Sequence, residues 1–193
     1  MRRQIRVSGV WLAALFALGG CATNIAYKPM TAAAPAAAGT VALAVKDARP
    51  ADKGGSEKSQ VGVIRGSYGI PTSLKDGDPA VVTRTVTEAT SDALRHAGIE
   101  VKPGSGRTLS ANVKHYWMDG MVGYKGTIVV AYSLADASGK TLWSGEVTGA
   151  SGGAHVFKSG PTLGQDIFAS ALNELATRAS EQFRAADFQQ AAR

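Results

Sequence analysis

The sequence predicts an α+β fold: a mainly antiparallel sheet of about five or six strands with two helices packed on one face. Three observations carry that expectation. Alternating apolar runs dominate the second half, with "GTIVVAYSLADASGKTLWSGEVTG" (126–149) reading as a hairpin. Two stretches instead repeat apolar residues at steps of three and four. The order of elements is ββα, then linked strands, then a long closing helix, which is neither the βαβ alternation of a parallel fold nor a repeat array.

The elements follow in chain order. "TVALAVKD" (40–47) reads as a strand, "ARPADKGGSEKSQ" (48–60) as a polar loop, "VGVIRG" (61–66) as a short strand and "SYGIPTSLKDGD" (67–78) as a second long loop. Asp78 and Pro79 open a helix whose stripe is Val82, Val86, Ala89, Ala93 and Ala97, and Gly98 stops it. "IEVK" (99–102) is a further strand. In "TLSANVKHYWMDG" (108–120) Leu109, Ala111, Val113, His115 and Trp117 alternate. The hairpin turns at Ser138-Gly139. A last helix opens at Pro161, with Phe168, Leu172, Leu175, Ala179 and Phe183 on one stripe.

The first 39 residues are different. Arg2, Arg3 and Arg6 precede nine apolar residues, Val10 to Leu18, and no acid occurs before Cys21. This is the plan of a secretory signal, and the apolar run falls far short of the roughly 20 residues that a spanning helix needs. Leu18, Gly19, Gly20 and Cys21, the one cysteine of the chain, resemble the lipobox of bacterial lipoproteins. The resemblance implies cleavage between Gly20 and Cys21, a thioether-linked diacylglycerol on Cys21 and an N-acyl chain such as palmitate. Two or more such chains hold a protein firmly on a membrane. Ala22, rather than aspartate, follows the cysteine, which in enterobacterial-type lipoproteins implies the outer membrane, facing the periplasm. The expected organisation is a signal peptide over 1–20, the lipidated cysteine and a flexible Ala/Pro tether over 21–39, and one periplasmic α+β domain over 40–193. Fully extended, Ala22 to Gly39 would reach roughly 60 Å.

Charge excludes a nucleic-acid partner. The formal +6 falls to +3 without the three leader arginines, 18 basic against 15 acidic side chains, and no dense basic tract remains. His96, His115 and His155 lack metal-ligand spacing, no serine sits in a G-x-S-x-G elbow, and the glycines of "GVIRGSYG" match no phosphate-binding fingerprint. Catalytic residues, metal ligands and cofactors are therefore expected to be none, and the chain is read as no enzyme. Tyr68, Ile70, Trp117, Met118, Met121 and Tyr124 are greasy for loop positions and form the one candidate binding surface.

Four features resemble the YajG-like family of bacterial lipoproteins: Asp47 and Arg49 as a D-x-R closing the first strand, "VGVIRGSYG", "LWSGEVTGASGG", and "IFASALNELATRASEQF" followed by Asp187-Phe188. That resemblance implies an exported α+β domain and transfers no catalytic residue. The element order is also similar to that of auxiliary lipoproteins of lipid-transporting ABC systems. The expected role is accessory or scaffold in envelope assembly or maintenance, with an envelope protein or a lipid as partner. The alternative is a lipid- or hydrophobe-binding auxiliary subunit.

Overall fold

One strand, β6 (Arg107–Gly120), organises the sheet. In the computed structural model, which describes residues 22–31, 35, 38–153 and 160–193, β7 (Tyr124–Asp136) runs antiparallel along almost all of β6, and β8 (Thr141–Gly153) along β7. The other edge of β6 is longer than either strand that uses it. β2 (Gly39–Asp47) pairs in parallel with residues 108–113, and β3 (Gln60–Arg65) pairs in parallel with residues 118–120. β5 (Ile99–Val101) extends the sheet beyond β2, whereas β4 (Pro71–Asp76) and β1 (Ala22–Thr23) extend it beyond β3.

Among the described residues the sheet therefore has eight strands and is mixed, where about five or six mainly antiparallel strands were expected. Four pairings are parallel, because β2 and β3 enter the sheet in the same direction along one edge of β6. β1 falls in the stretch expected to be a tether. β4 falls in the stretch read as a loop: Leu74 is its one large apolar side chain, and Pro71 and the polar neighbours give it the composition of a turn. Pro71 stands at the first position of the strand, where proline is tolerated.

Helices α1 (Val81–His96) and α2 (Gly160–Arg184) lie on one face, as expected. Tyr116 of β6 proves the shared side. Its ring stacks on Phe168 of α2, with centroids 4.6 Å apart, and its hydroxyl meets Thr85 of α1 at 3.3 Å. Leu172 and Leu175 are fully buried on the same stripe. α2 lies so near β8 that a Cβ on Gly149 would stand 2.2 Å from the Ala171 carbonyl oxygen, so glycine is required there. Asp78 stands ahead of α1 rather than at its cap, and its carboxylate accepts the Ala80 N–H at 2.8 Å. A last short helix, α3 (Ala186–Ala191), buries Phe188 against Trp143, whose indole N–H donates to Asp187 at 3.1 Å. Two of the sequence motifs, "LWSG" and Asp187-Phe188, are thus two sides of one contact.

A bulge in β6 between Val113 and His115 shifts the alternation by one residue. Tyr116 and Met118 then point to the core, and Trp117 turns to the opposite face. Over Trp117 on that face lies part of residues 48–59, the excursion joining β2 to β3, with the Lys53 ammonium 5.0 Å from the centre of the Trp117 ring.

Arg49 ties the excursion off. Its guanidinium donates twice to the Asp47 carboxylate, both at 2.9 Å, and to the carbonyls of Gln60 (2.8 Å) and Lys58 (3.0 Å). Burial pulls the Asp47 carboxyl upward, but Arg49 outweighs it and holds the group below the ordinary carboxylate range. Gly54, at φ 90°, passes so close that any side chain would strike the Gln60 carbonyl and the guanidinium.

Removing one partner of a buried ion pair costs about 3–5 kcal/mol, and the half-exposed Lys58 ammonium, 3.3 Å from the Asp47 carboxylate, offsets only part of it here. Arg49→Met should accordingly lower the thermal midpoint by roughly 10 °C. Asp47→Leu combined with Arg49→Met should recover part of that loss, since neither charge is then left unpaired. Differential scanning calorimetry of both variants checks this; a double variant no better than the single one would place the cost in the carbonyl contacts instead.

Candidate functional site

Residues 22–31 are not a free tether. Their first ten positions are docked, and two carboxylates hold them. Asp76 at the end of β4 accepts the Thr23 hydroxyl at 3.1 Å and the Ile25 N–H at 2.8 Å, and Ile25 is fully buried. Asp92 on α1 accepts the Tyr27 hydroxyl at 2.6 Å and the Met30 N–H at 2.7 Å, and it also pairs with Arg95. Arg84 adds a bond to the Ile25 carbonyl at 3.2 Å. The alanine and proline content hid this, because only Ile25, Tyr27 and Met30 can bury much surface and the carboxylates lie 46 or more residues away in sequence.

Burial raises the Asp92 carboxyl, and the donations from Tyr27, Met30 and Arg95 more than reverse it, so the group ionises below the usual carboxylate range. Burial and the Asp92 charge push the Tyr27 hydroxyl up, which keeps it a donor.

Between this docked segment and α1 lies a cleft of about 750 Å³. Tyr27, Pro29, Pro35, Ile99 and Val101 give it apolar walls, and Arg84, Glu88, Arg95 and Glu100 set charges around them. Its size falls in the range of small-molecule sites, and the mixture of apolar wall and charged rim suits an amphiphile.

The expected loop surface divides. Trp117 and Met118 are buried and leave it, Met118 in the core and Trp117 under the 48–59 excursion. The β6 bulge and the length of β6 account for both. Tyr68 and Ile70 stand out from the β3–β4 turn, whereas Met121 and Tyr124 are half-buried at the β6–β7 turn. Val122, not singled out in the sequence, is 99% exposed between them.

His96 is buried beside Asp92, with Nε2 3.6 Å from the carboxylate. His115 lies on the opposite side of the sheet, where burial and the charges of Lys53 and Arg49 pull its pKa below the ordinary value. His155 lies outside the described residues, as do Gly20 and Cys21. Among the described residues no three His, Cys, Asp or Glu side chains are placed to hold a metal ion, and no helix is long and apolar enough to cross a membrane.

No protein-family model and no curated protein sequence matches the chain. Solved structures define its class of fold. Protein XCC0632 from Xanthomonas campestris, described under DUF330, is 18% identical over 88% of this chain and 95% of its own, with a TM-score of 0.59. An uncharacterized protein is 14% identical over 83% of this chain and 99% of its own, with a TM-score of 0.50. These two share the fold. Lipoprotein GNA1162 from Neisseria meningitidis, 15% identical over 67% of this chain and 91% of its own, aligns at a TM-score of 0.35, too loosely to bear an argument.

Asp92 can be tested directly. Asp92→Ala removes the acceptor of the Tyr27 hydroxyl and the Met30 N–H, and chymotrypsin should then cleave after Tyr27 well before it cuts the wild type. In the wild type, the lowered carboxyl contributes stability that is complete above the unfolded carboxylate pKa and is lost as pH falls through the folded value. Amide exchange at Met30 should therefore accelerate in acid in the wild type, beyond the intrinsic pH effect. In Asp92→Ala the Met30 amide should already exchange fast at neutral pH.

Proposed function

We propose that the chain is a bacterial lipoprotein, held by acyl chains on Cys21 at the periplasmic face of the outer membrane, and that it acts without catalysis as an accessory or scaffold in envelope assembly or maintenance. The observation that carries this reading is the position of the lone cysteine: it ends a basic and apolar leader and directly precedes β1. The anchor would then hold the sheet edge itself close to the lipid rather than at the end of a long leash. The YajG-like motifs support the same reading, since Asp47 with Arg49 and Trp143 with Asp187 and Phe188 are structural ties rather than catalytic groups.

The apolar cleft on α1 favours a second reading, a subunit that binds a lipid or another hydrophobe in transport. A scaffold has no need of such a cleft, and a carrier does.

Radiolabelled palmitate should enter the wild-type protein and not Cys21→Ser; equal labelling of the two overturns the anchor. Native mass spectrometry of the chain from Ala22 onward separates the two roles. Copurified lipid that is lost in Ile99→Glu favours carriage, and an unliganded mass favours the scaffold.

A further inference from the structure

The turn joining β3 to β4 and the turn joining β6 to β7 stand side by side at one end of the sheet. The parallel register Ile64↔Gly120 sets them level, and both strands run toward that end before turning. Each turn presents apolar side chains to solvent. Tyr68 is fully exposed and Ile70 is 62% exposed on the first, and Val122 is fully exposed on the second. They are the three most exposed large apolar side chains among the described residues.

Tyr68 adopts φ 58°, ψ 21°, the left-handed conformation, which strains a residue with a Cβ. Glycine would relieve that strain, and tyrosine instead aims a large amphipathic ring away from the protein. Beside the turns stand two cations, Arg65 at the end of β3 and Lys125 early in β7, both exposed and neither paired with a carboxylate among the described residues. A hollow of about 320 Å³ separates Arg65 from residues 120–124.

The direction of β1 links these turns to the N-terminus. β4 starts at Pro71, by the first turn, and runs away from it. β1 is parallel to β4, with Ala22 level with Lys75. Ala22 is therefore four residues, roughly 13 Å, from the turn end, and the chain enters it from the side of the turns. An acyl chain on the preceding residue spans that distance.

The geometry points to these two turns as a second membrane contact: Tyr68, Ile70 and Val122 enter the interfacial layer of a phospholipid surface, and Arg65 and Lys125 face its phosphates. This rests on the anchor at Cys21 proposed above. Tyrosine suits the headgroup level, isoleucine and valine the acyl boundary, and exposed cations the phosphate plane. The contact would fix the orientation of the domain, with the cleft wall at Ile99 to Val101 toward the opposite end of the sheet.

The test uses the full-length protein in vesicles of phosphatidylethanolamine and phosphatidylglycerol, with the same protein in detergent as reference. Intact mass reports acylation, and hydrogen–deuterium exchange reports the turns. Residues 66–70 and 121–124 should exchange severalfold more slowly on vesicles, while the turn at 136–140, at the other end of β7, stays unchanged. The triple variant Tyr68→Ser, Ile70→Ser, Val122→Ser should lose that protection with its acyl mass and melting curve intact. An acylated chain whose turns exchange equally fast in both settings overturns the contact. Protection that depends on protein concentration and not on lipid also overturns it, in favour of a second copy of the chain. A chain without acyl mass overturns the anchor alone. Vesicle sedimentation then decides the turns: binding by the wild type that the triple variant loses upholds them, and no binding overturns them.

Discussion

The fold depends on a mismatch of lengths at β6. Its edge toward β2 spans 14 residues, and no single partner fills it. Two parallel strands share the edge, which forces the chain to leave the sheet after Asp47 and return at Gln60. A polar excursion of that length would ordinarily be loose. Here one guanidinium closes both its ends, because Arg49 sits at the exit and reaches the carbonyls of Lys58 and Gln60 at the return. The excursion then shields Trp117, so one end of the second face is covered without a further helix.

A similar economy operates at the N-terminus. Backbone N–H groups that would be left unsatisfied in a short edge segment are taken up by carboxylates from β4 and α1. From this segment Asp76 and Asp92 each accept one backbone amide and one hydroxyl, so two charges fix a stretch with few apolar side chains. The same segment forms one wall of the cleft. Position of the terminus and shape of the cleft are thus a single structural variable.

Legibility followed burial. Strands with repeated alternation, β2, β6 to β8, and the two long helices were readable because each carries many apolar side chains at one period. The closing stripe from Phe168 to Phe183 lies buried as its spacing required. β1 and β4 were not readable, since each is recruited by its partners: β4 offers Leu74 alone, and β1 has two residues. The parallel pairings were equally hidden, because alternation gives the faces of a strand and says nothing of its neighbour's direction. At the candidate surface, period and loop composition found Tyr68 and Ile70. They misplaced Trp117 and Met118, since a one-residue bulge is invisible in a pattern of period two. The D-x-R pair was visible as a motif, and its partners were not, being main-chain carbonyls.

The shared edge of β6 also governs the order in which the chain can fold. β2 has no strand partner among the described residues until residues 99–101 and 108–113 exist, so its backbone must wait through some 60 residues of synthesis before it gains a hydrogen-bonded neighbour. Non-local parallel pairing of this kind is slow, because loop closure must be accomplished before any contact rewards it. During that interval the run from Val41 to Val45 is an apolar strand with both edges open, the kind of segment that aggregates. The chain is therefore most exposed to aggregation early, before β6 has emerged, and little once it has.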